Sequence, residues 1–418
     1  MTTDEQFIRH ALDLARAGIG LVSPNPAVGA VVVDSTGKEA GTGTHTYDGV
    51  KHAEVLALEQ AGSRARGGTL YLNLEPCSHQ GRTGPCADAV IAAGISRVVC
   101  SMQDPNPQVA GQGFAKLRAA GIRVEIGALE AEAKKLNESF ARYIRHRVPL
   151  VTLKGAMTLD GKIAPPPSGT LHPTDVAAGG STGGWITGEI ARQHVHRLRH
   201  QHDAIMAGVG TVIADDPLLT DRSGLPRRRP LLRVILDSFL RLPETSRLAK
   251  SAQNDVLIFY SQPDSPENNS RKRELEKLGI RVEHIAPAAA IVPSSMSQPD
   301  LARPDLAAVM RRLGELEITS VLIEGGATVN STALSSGIVD KLFLYYAPKI
   351  LGEGSVPFMA GLSADERLAG AHHALENSSQ HTSQHFSQHR AIHAQHVQLH
   401  QFGEDFAVEG YLRDPYQS

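Results

Sequence analysis

Cysteine is scarce: three residues among 418 cannot build a disulfide framework, and a reducing, cytoplasmic setting is the expectation. Long apolar runs are missing too. No stretch approaches the roughly 20 residues that a membrane-spanning helix needs. The opening MTTDEQFIRHALDLARAG carries acidic residues where a secretory signal has its apolar core. Charge of one sign is not in excess either. With Lys+Arg at 42 and Asp+Glu at 44, the formal net charge is −2, so neither nucleic acid nor anionic lipid is attracted by the chain as a whole. Aromatic residues make up only 5%, which leaves little for a base-stacking platform. Any nucleotide-like ligand must therefore be held by local groups. Finally, no G-x-G-x-x-G leads from an apolar run into a helical one, so a Rossmann dinucleotide fingerprint is absent.

What is present suits two α/β domains. A chain this long exceeds one typical core. Phe7, Ile8, Ala11, Leu12 and Ala15 mark one face of an amphipathic first helix. Turn residues SPNP lead into the apolar run Ala30–Val33, which reads as a buried strand. GTGTHTYDG reads as a loop, and His52 opens a helix. TLYLNLEP is a second strand, Cys86–Ala93 a helix, and RVVCSM a third strand. QGFAKLRAAGIRVEIG is helix, glycine stop, strand. This alternation predicts parallel strands in a layered fold, ending near FARYIRHRVP. A second unit starts at LVTLKGAMTLDGKIA, with further strands at DAIMAGV, LLRVILD, DVLIFY and SVLIEGG. VQLHQFGEDFAVEGYL closes it as two strands around a turn.

The chemistry concentrates in KHAEVL and EPCSHQGRTGPC. A catalytic zinc commonly takes three protein ligands and leaves the fourth position to water. His52, Cys77 and Cys86 supply one imidazole and two thiolates that neutralise the cation. Cys77 follows a strand end and Cys86 starts a helix, where backbone N–H groups favour thiolates. Glu54 lies two residues from His52, placed to shuttle a proton without ligating the ion. A lone His-x-Glu carries little weight; followed by Glu-Pro-Cys and a helix-opening Cys it is specific. Cys100, inside an apolar strand, reads as core. Zinc nucleobase deaminases carry H-x-E…P-C-x-x-C. Here eight residues separate the cysteines, and the longer loop brings His79 and Arg82 beside the metal, suited to an anionic substituent such as a phosphate.

In these motifs the sequence resembles the bifunctional riboflavin-biosynthesis deaminase/reductase family. PNPAVGAVVV, GTGTH, HAE, LEPCSHQGRTGPC and DPNPQVAGQGF carry the likeness in the front half. MTLDGKIA, WITG, ARQHVHRLRHQHDAI, GTVIADDPLLTDR and LIEGGATVNSTAL carry it in the rear. The resemblance implies a cytidine-deaminase-like α/β/α domain over residues 1–146 and a dihydrofolate-reductase-like α/β domain over 147–418. It implies hydrolytic deamination of a phosphoribosylamino pyrimidine, then reduction of its ribosyl group by NADPH. By motif match His52, Cys77 and Cys86 hold Zn²⁺, Glu54 is the proton donor, and Asn25 contacts the pyrimidine. Ala156, Trp185, Thr211, Asp215, Ser238 and the run Gly326, Ala327, Thr328, Val329, Asn330, Ser331, Thr332 fall at cofactor positions. Arg199, Leu219, Arg222 and Glu324 fall at substrate positions, the two guanidinium groups suiting the phosphate. Lys154 and Asp215 stand near strand ends as candidates for proton delivery. Members of such families often pair, so a homo-oligomer is expected.

Some features depart from the pattern. Gly84 stands where the family has a second proline. Gly183 replaces a serine that touches substrate, with Ser181 as a substitute, and APPPSGTLHPTDVAAGG lengthens that approach. His381, His385, His389 and His393 recur every fourth residue within a segment, 371–396, that reads as a low-complexity insertion rather than a metal stripe. RRRP at 227–230 reads as a solvated basic loop. A nucleobase or tRNA deaminase with an RNA-holding rear domain, and a zinc-stabilised scaffold, are the competing readings. The first lacks a basic stripe; the second needs a fourth zinc ligand.

Overall fold

Each set of apolar runs builds its own sheet. The computed structural model describes residues 2–80, 84–166, 185–263, 265–287, 303–359 and 391–417. Arg82, Ser181, Gly183, His381, His385 and His389 lie outside them. In the first unit, β1 (Gly29–Val33), β2 (Glu39–Thr44), β3 (Thr69–Leu72), β4 (Arg97–Cys100) and β5 (Arg123–Ile126) order as β2-β1-β3-β4-β5. β3, β4 and β5 run parallel, as alternation with helices requires. β1 pairs antiparallel with both β2 and β3, so the sheet is mixed rather than wholly parallel.

β2 corrects the reading of GTGTH as a loop. A Cβ on Gly41 would sit 2.3 Å from the Ala57 carbonyl oxygen, and one on Gly43 2.0 Å from that of Ala53. These glycines are the contact surface on which the helix Ala53–Ala61 rests, not turn signals. On the other side, the helix Thr3–Ala17 buries Ile8, Ala11, Leu12 and Ala15 and is capped by a Thr2/Glu5 capping box. Cys100 is buried in β4, as expected of a core thiol.

The second unit contains β6 (Leu150–Thr158), β7 (Lys162–Ala164), β8 (Ala204–Gly208), β9 (Leu232–Leu236), β10 (Val256–Tyr260), β11 (Ile280–His284), β12 (Ser320–Ile323), β13 (Lys341–Ala347), β14 (Val356–Pro357), β15 (Gln395–Phe402) and β16 (Asp405–Tyr411). Nine of them form one sheet ordered β11-β10-β9-β8-β12-β6-β13-β16-β15, and β14 pairs with β7. From β11 through β13 neighbours are parallel; β16 and β15 turn back antiparallel. Strands buried on both faces read as continuous apolar runs, and β8, β10 and β12 are buried throughout. Helices cover the sheet, and the carboxyl ends of β6, β8 and β12 meet on one edge, where open α/β sheets place ligands.

The last helix of the first unit, Glu138–His146, is joined to β6 by the short link Arg147, Val148 and Pro149. Lys341 at the start of β13 is buried between Glu138, at 2.6 Å, and Glu409 of β16, at 2.9 Å. Among the described residues, no helix is long and apolar enough to cross a membrane.

A candidate metal centre and a second, carboxylate-centred site

His52 is the N-cap of the helix Ala53–Ala61, and its imidazole makes no capping bond, so the ring is free to face the loop from β3. Cys77 follows that strand; Cys86 begins the helix Cys86–Ala92. His52 Nδ1 lies 3.1 Å from Cys86 Sγ and 3.6 Å from Cys77 Sγ. The three ligand atoms all fall within 4.8 Å of one another. Tetrahedral zinc, with Zn–N about 2.0 Å and Zn–S about 2.3 Å, sets its N and S ligands about 3.5 Å apart. The set fits the ion in donor type, spacing and charge.

The electrostatics agree. A hydrogen bond from the Cys86 thiol, opposed by burial and helped by His52 and by the Cys86 N–H at 3.3 Å, pulls the Cys77 thiol down to about 4. Cys86, as the donor of that pair, is pushed up. The Cys77 sulfur in turn raises His52. Glu54, only 3% exposed in the first turn of its helix, is pushed up to about 7, chiefly by burial. A carboxyl in that range exchanges protons near neutrality, as a proton shuttle must. Among the described residues Glu54 does not join the three-atom cluster.

Asn25 approaches from the turn after the first helix. Its Nδ2 lies 3.0 Å from His45 Nε2, and His45 Nδ1 lies 3.0 Å from the Lys51 carbonyl oxygen. That carbonyl can only accept, so His45 donates from Nδ1, leaving Nε2 to meet the Asn25 amide. The His45 and His52 rings meet edge to face at 5.2 Å.

In the second unit Glu324 follows β12 and is almost enclosed. Arg199 holds it with two bonds, Nε to Oε1 at 2.7 Å and Nη2 to Oε2 at 3.0 Å, while Lys154 Nζ stands 3.5 Å from Oε2. The two cations outweigh desolvation and draw the Glu324 carboxyl down to about 2. Gly325 and Gly326 then turn the chain into the helix Ala327–Ser335, with Gly326 as its N-cap. A Cβ on Gly325 would come 2.8 Å from Val329, so the turn needs that glycine's small size, whereas one on Gly326 would only touch Thr211 Oγ1 at 3.4 Å.

Two family models match the chain. Residues 149–383 match the RibD C-terminal domain. Residues 1–102 match the cytidine and deoxycytidylate deaminase zinc-binding region. The chain is 39% identical over 375 residues to riboflavin biosynthesis protein RibD of Aquifex aeolicus, covering 90% of this chain and 95% of that one. Against RibD of Escherichia coli K12 it is 39% identical over 360 residues, covering 84% and 89%. The chain belongs to the RibD family. Solved structures agree: Acinetobacter baumannii RibD, form 1, superposes with a TM-score of 0.73 at 33% identity, covering 98% of both chains. A diaminohydroxyphosphoribosylaminopyrimidine deaminase/5-amino-6-(5-phosphoribosylamino)uracil reductase of Thermotoga maritima does so at 0.70 and 34%, again over 98% of both.

This RibD-family chain is thus a bifunctional riboflavin-biosynthesis enzyme, a zinc-binding deaminase joined to a pyrimidine reductase that uses NAD(P)H. The two-domain α/β reading holds. The zinc residues and Glu54 meet in space, as do Arg199 with Glu324 and Thr211 with Gly326. The Arg199 guanidinium is engaged by Glu324 and the Thr220 carbonyl. Arg222 is exposed. Leu219 is buried with a φ of 54°, a strained value for a branched residue. Within the helix Ala327–Ser335, Asn330 and Ser331 turn inward, and Asn330 donates to the Phe358 carbonyl. Trp185 is 58% exposed. His79 is exposed.

Glu75 escapes the sequence reading. Its two oxygens accept the backbone N–H groups of Asp104, Gly111, Gly113 and Phe114 at 2.9–3.2 Å, pinning the DPNPQVAGQGF loop beside the Cys77 turn. A Cβ on Gly113 would sit 2.0 Å from the Pro76 carbonyl oxygen. Gly113→Ala is therefore expected to destabilise the first unit by about 1–3 kcal/mol. Thermal unfolding with metal analysis checks it, because the clash moves the residue adjoining Cys77.

Proposed function

We propose that this enzyme hydrolyses the amine of 2,5-diamino-6-(5-phospho-ribosylamino)pyrimidin-4(3H)-one and then reduces the ribosyl side chain with NADPH, giving 5-amino-6-(5-phospho-ribitylamino)uracil. Residues 1–146 would house the first reaction and 147–418 the second. The observation that carries this is the convergence of His52, Cys77 and Cys86 beside a buried Glu54, on one chain with the Glu324 site. Zinc held by His52, Cys77 and Cys86 would lower the pKa of a water in its open position. Glu54 takes the proton from the attacking water and delivers it to the departing amine, which leaves as ammonia. Asn25, held by His45, hydrogen-bonds the pyrimidine edge and aligns it.

In the second reaction C1′ of the sugar would receive the hydride that a bound nicotinamide cofactor supplies. As the C1′–O bond breaks, the sugar oxygen takes a proton. Lys154, its Nζ 3.5 Å from Glu324 Oε2, is the group placed to give it. Asp215, whose carboxyl is raised by burial, is the alternative donor. The glycine turn at 325–326 and the following backbone N–H groups suit a cofactor phosphate. Ala156, Trp185, Thr211 and Ser238 complete that side; Leu219 and Arg222 face the substrate, with Arg222 as the phosphate contact.

The balanced charge supports a small-molecule substrate rather than nucleic acid, and we further propose a cytoplasmic homo-oligomer, which sedimentation analysis checks. The function is tested by supplying the diaminopyrimidine phosphate with zinc and NADPH. Ammonia release followed by NADPH oxidation is expected. No ammonia from zinc-loaded protein would discard the deaminase assignment, and ammonia without NADPH oxidation the reductase. Chelation is expected to abolish ammonia release, restored by added zinc, while the reductase turns over deaminated substrate unchanged.

A further inference from the structure

The basic run RRRP is not a solvated loop. It belongs to the connection from the reductase substrate position at Leu219 and Arg222 to β9, and it reaches the deaminase. Arg227 anchors it on its own unit, donating to the carbonyls of Arg199, His200 and His202 and pairing with Asp221. The next two residues cross over. The Arg228 N–H donates to the Gly20 carbonyl at 2.8 Å, and its guanidinium lies 3.8 Å over the Tyr47 ring. Arg229 donates to Ser23 Oγ at 3.1 Å, and Ser23 Oγ donates to Asp203 at 2.6 Å.

Both receiving segments carry the Asn25–His45 pair. Gly20 and Ser23 precede Asn25; Tyr47 follows His45, and its N–H donates to the Leu21 carbonyl at 3.0 Å, tying the segments together. One flank of residues 19–25 faces a cavity of about 410 Å³ between the two units, lined also by Leu198, His202 and Lys341. The arginine contacts hold the segment on the side away from that cavity's open space. Gly20 fits the approach closely: at φ +83°, a Cβ there would lie 2.7 Å from the His200 ring and 2.9 Å from the Pro226 carbonyl oxygen.

We propose that Arg228, a residue of the reductase unit, is a positioning residue of the deaminase: stacked on Tyr47, it sets the Asn25–His45 pair against the pyrimidine. The inference rests on the deaminase reading of the zinc site. Guanidinium–aromatic contact is worth most when partly desolvated, and small misplacements of a positioning group weigh heavily on catalysis.

The test uses full-length, zinc-loaded protein carrying R228A, R228K, Y47L and the double variant R228A/Y47L. R228A is expected to raise the deaminase KM about tenfold with little change in kcat. Zinc content and reductase kcat/KM stay at wild-type values, because Arg227 still anchors the loop. R228K, which keeps a cation over the ring, restores most of the loss, and the double variant is no worse than R228A alone. Unchanged deaminase KM in R228A overturns the proposal. So does a loss of both activities in step with a lowered Tm, the mark of a merely structural role. Wild-type protein run alongside separates this from failure of the functional reading, which would show as no ammonia from any variant.

Discussion

Glu54→Gln is expected to lower the deaminase kcat by about 10³-fold, within the range general acid–base groups contribute, while zinc stays bound and reduction continues. Two observations and the chemistry of the amide set that pattern. The carboxylate lies outside the ligand cluster, so metal content depends on His52, Cys77 and Cys86. Its burial drives the carboxyl up to about 7, where it can hold a proton at one step and yield it at the next. Glutamine keeps the volume and loses the shuttle. The substitution is not expected to weaken the fold. A folded pKa above the unfolded value favours folding at low pH, and the benefit is lost as pH rises through the folded pKa. In metal-free protein above about pH 7 the wild type must bury a charge that the variant lacks. Metal-free E54Q should then melt at or above the wild-type temperature at pH 8. Ammonia release, metal analysis and melting on the same samples check all three claims. Full activity in zinc-loaded E54Q would move the shuttle to another group.

The metal site was legible because its parts are tied to local structure: a helix N-cap, a strand end and a helix start fix His52, Cys77 and Cys86 almost without reference to the rest of the fold. The parallel strands of the second unit announced themselves as apolar runs for the same reason. What stayed hidden depends on contacts between distant elements. β2 looks like a loop because Gly41 and Gly43 signal turns, and only the helix resting on them shows why they are glycines. β13 (KLFLYYA) alternates between buried and half-buried positions, but its residues are all apolar after Lys341, so the sequence shows no alternation. Glu75 is one acid among many until its four backbone donors are seen, and His45 acquires meaning only from Asn25 and Lys51. The arginines of RRRP read as solvated because nothing local reveals that the other unit lies within their reach.

Removing the charge of Glu324 is expected to have the largest effect in the second unit. Glu324→Gln leaves Arg199 and Lys154, both largely buried, facing each other without the anion that binds them. Breaking a buried pair from one side costs about 3–5 kcal/mol, so denaturant midpoints should fall accordingly. The pH dependence identifies the cause. The folded carboxyl lies near 2 rather than 4.5, so its contribution is fully present above the unfolded value near 4.5 and is lost as pH falls toward 2. That shift corresponds to about 3 kcal/mol. The stability gap between wild type and variant should therefore be constant near neutrality and narrow below about pH 4.5. Reduction should fall about 10²-fold or more, because Lys154 and Arg199 lose the carboxylate that positions them. Ammonia release, measured well below the unfolding temperature, should persist. NADPH titration separates the two uses of the site: unchanged cofactor affinity with lost turnover assigns Glu324 and its cations to the sugar, whereas a matching loss of cofactor binding would place them under the nicotinamide instead.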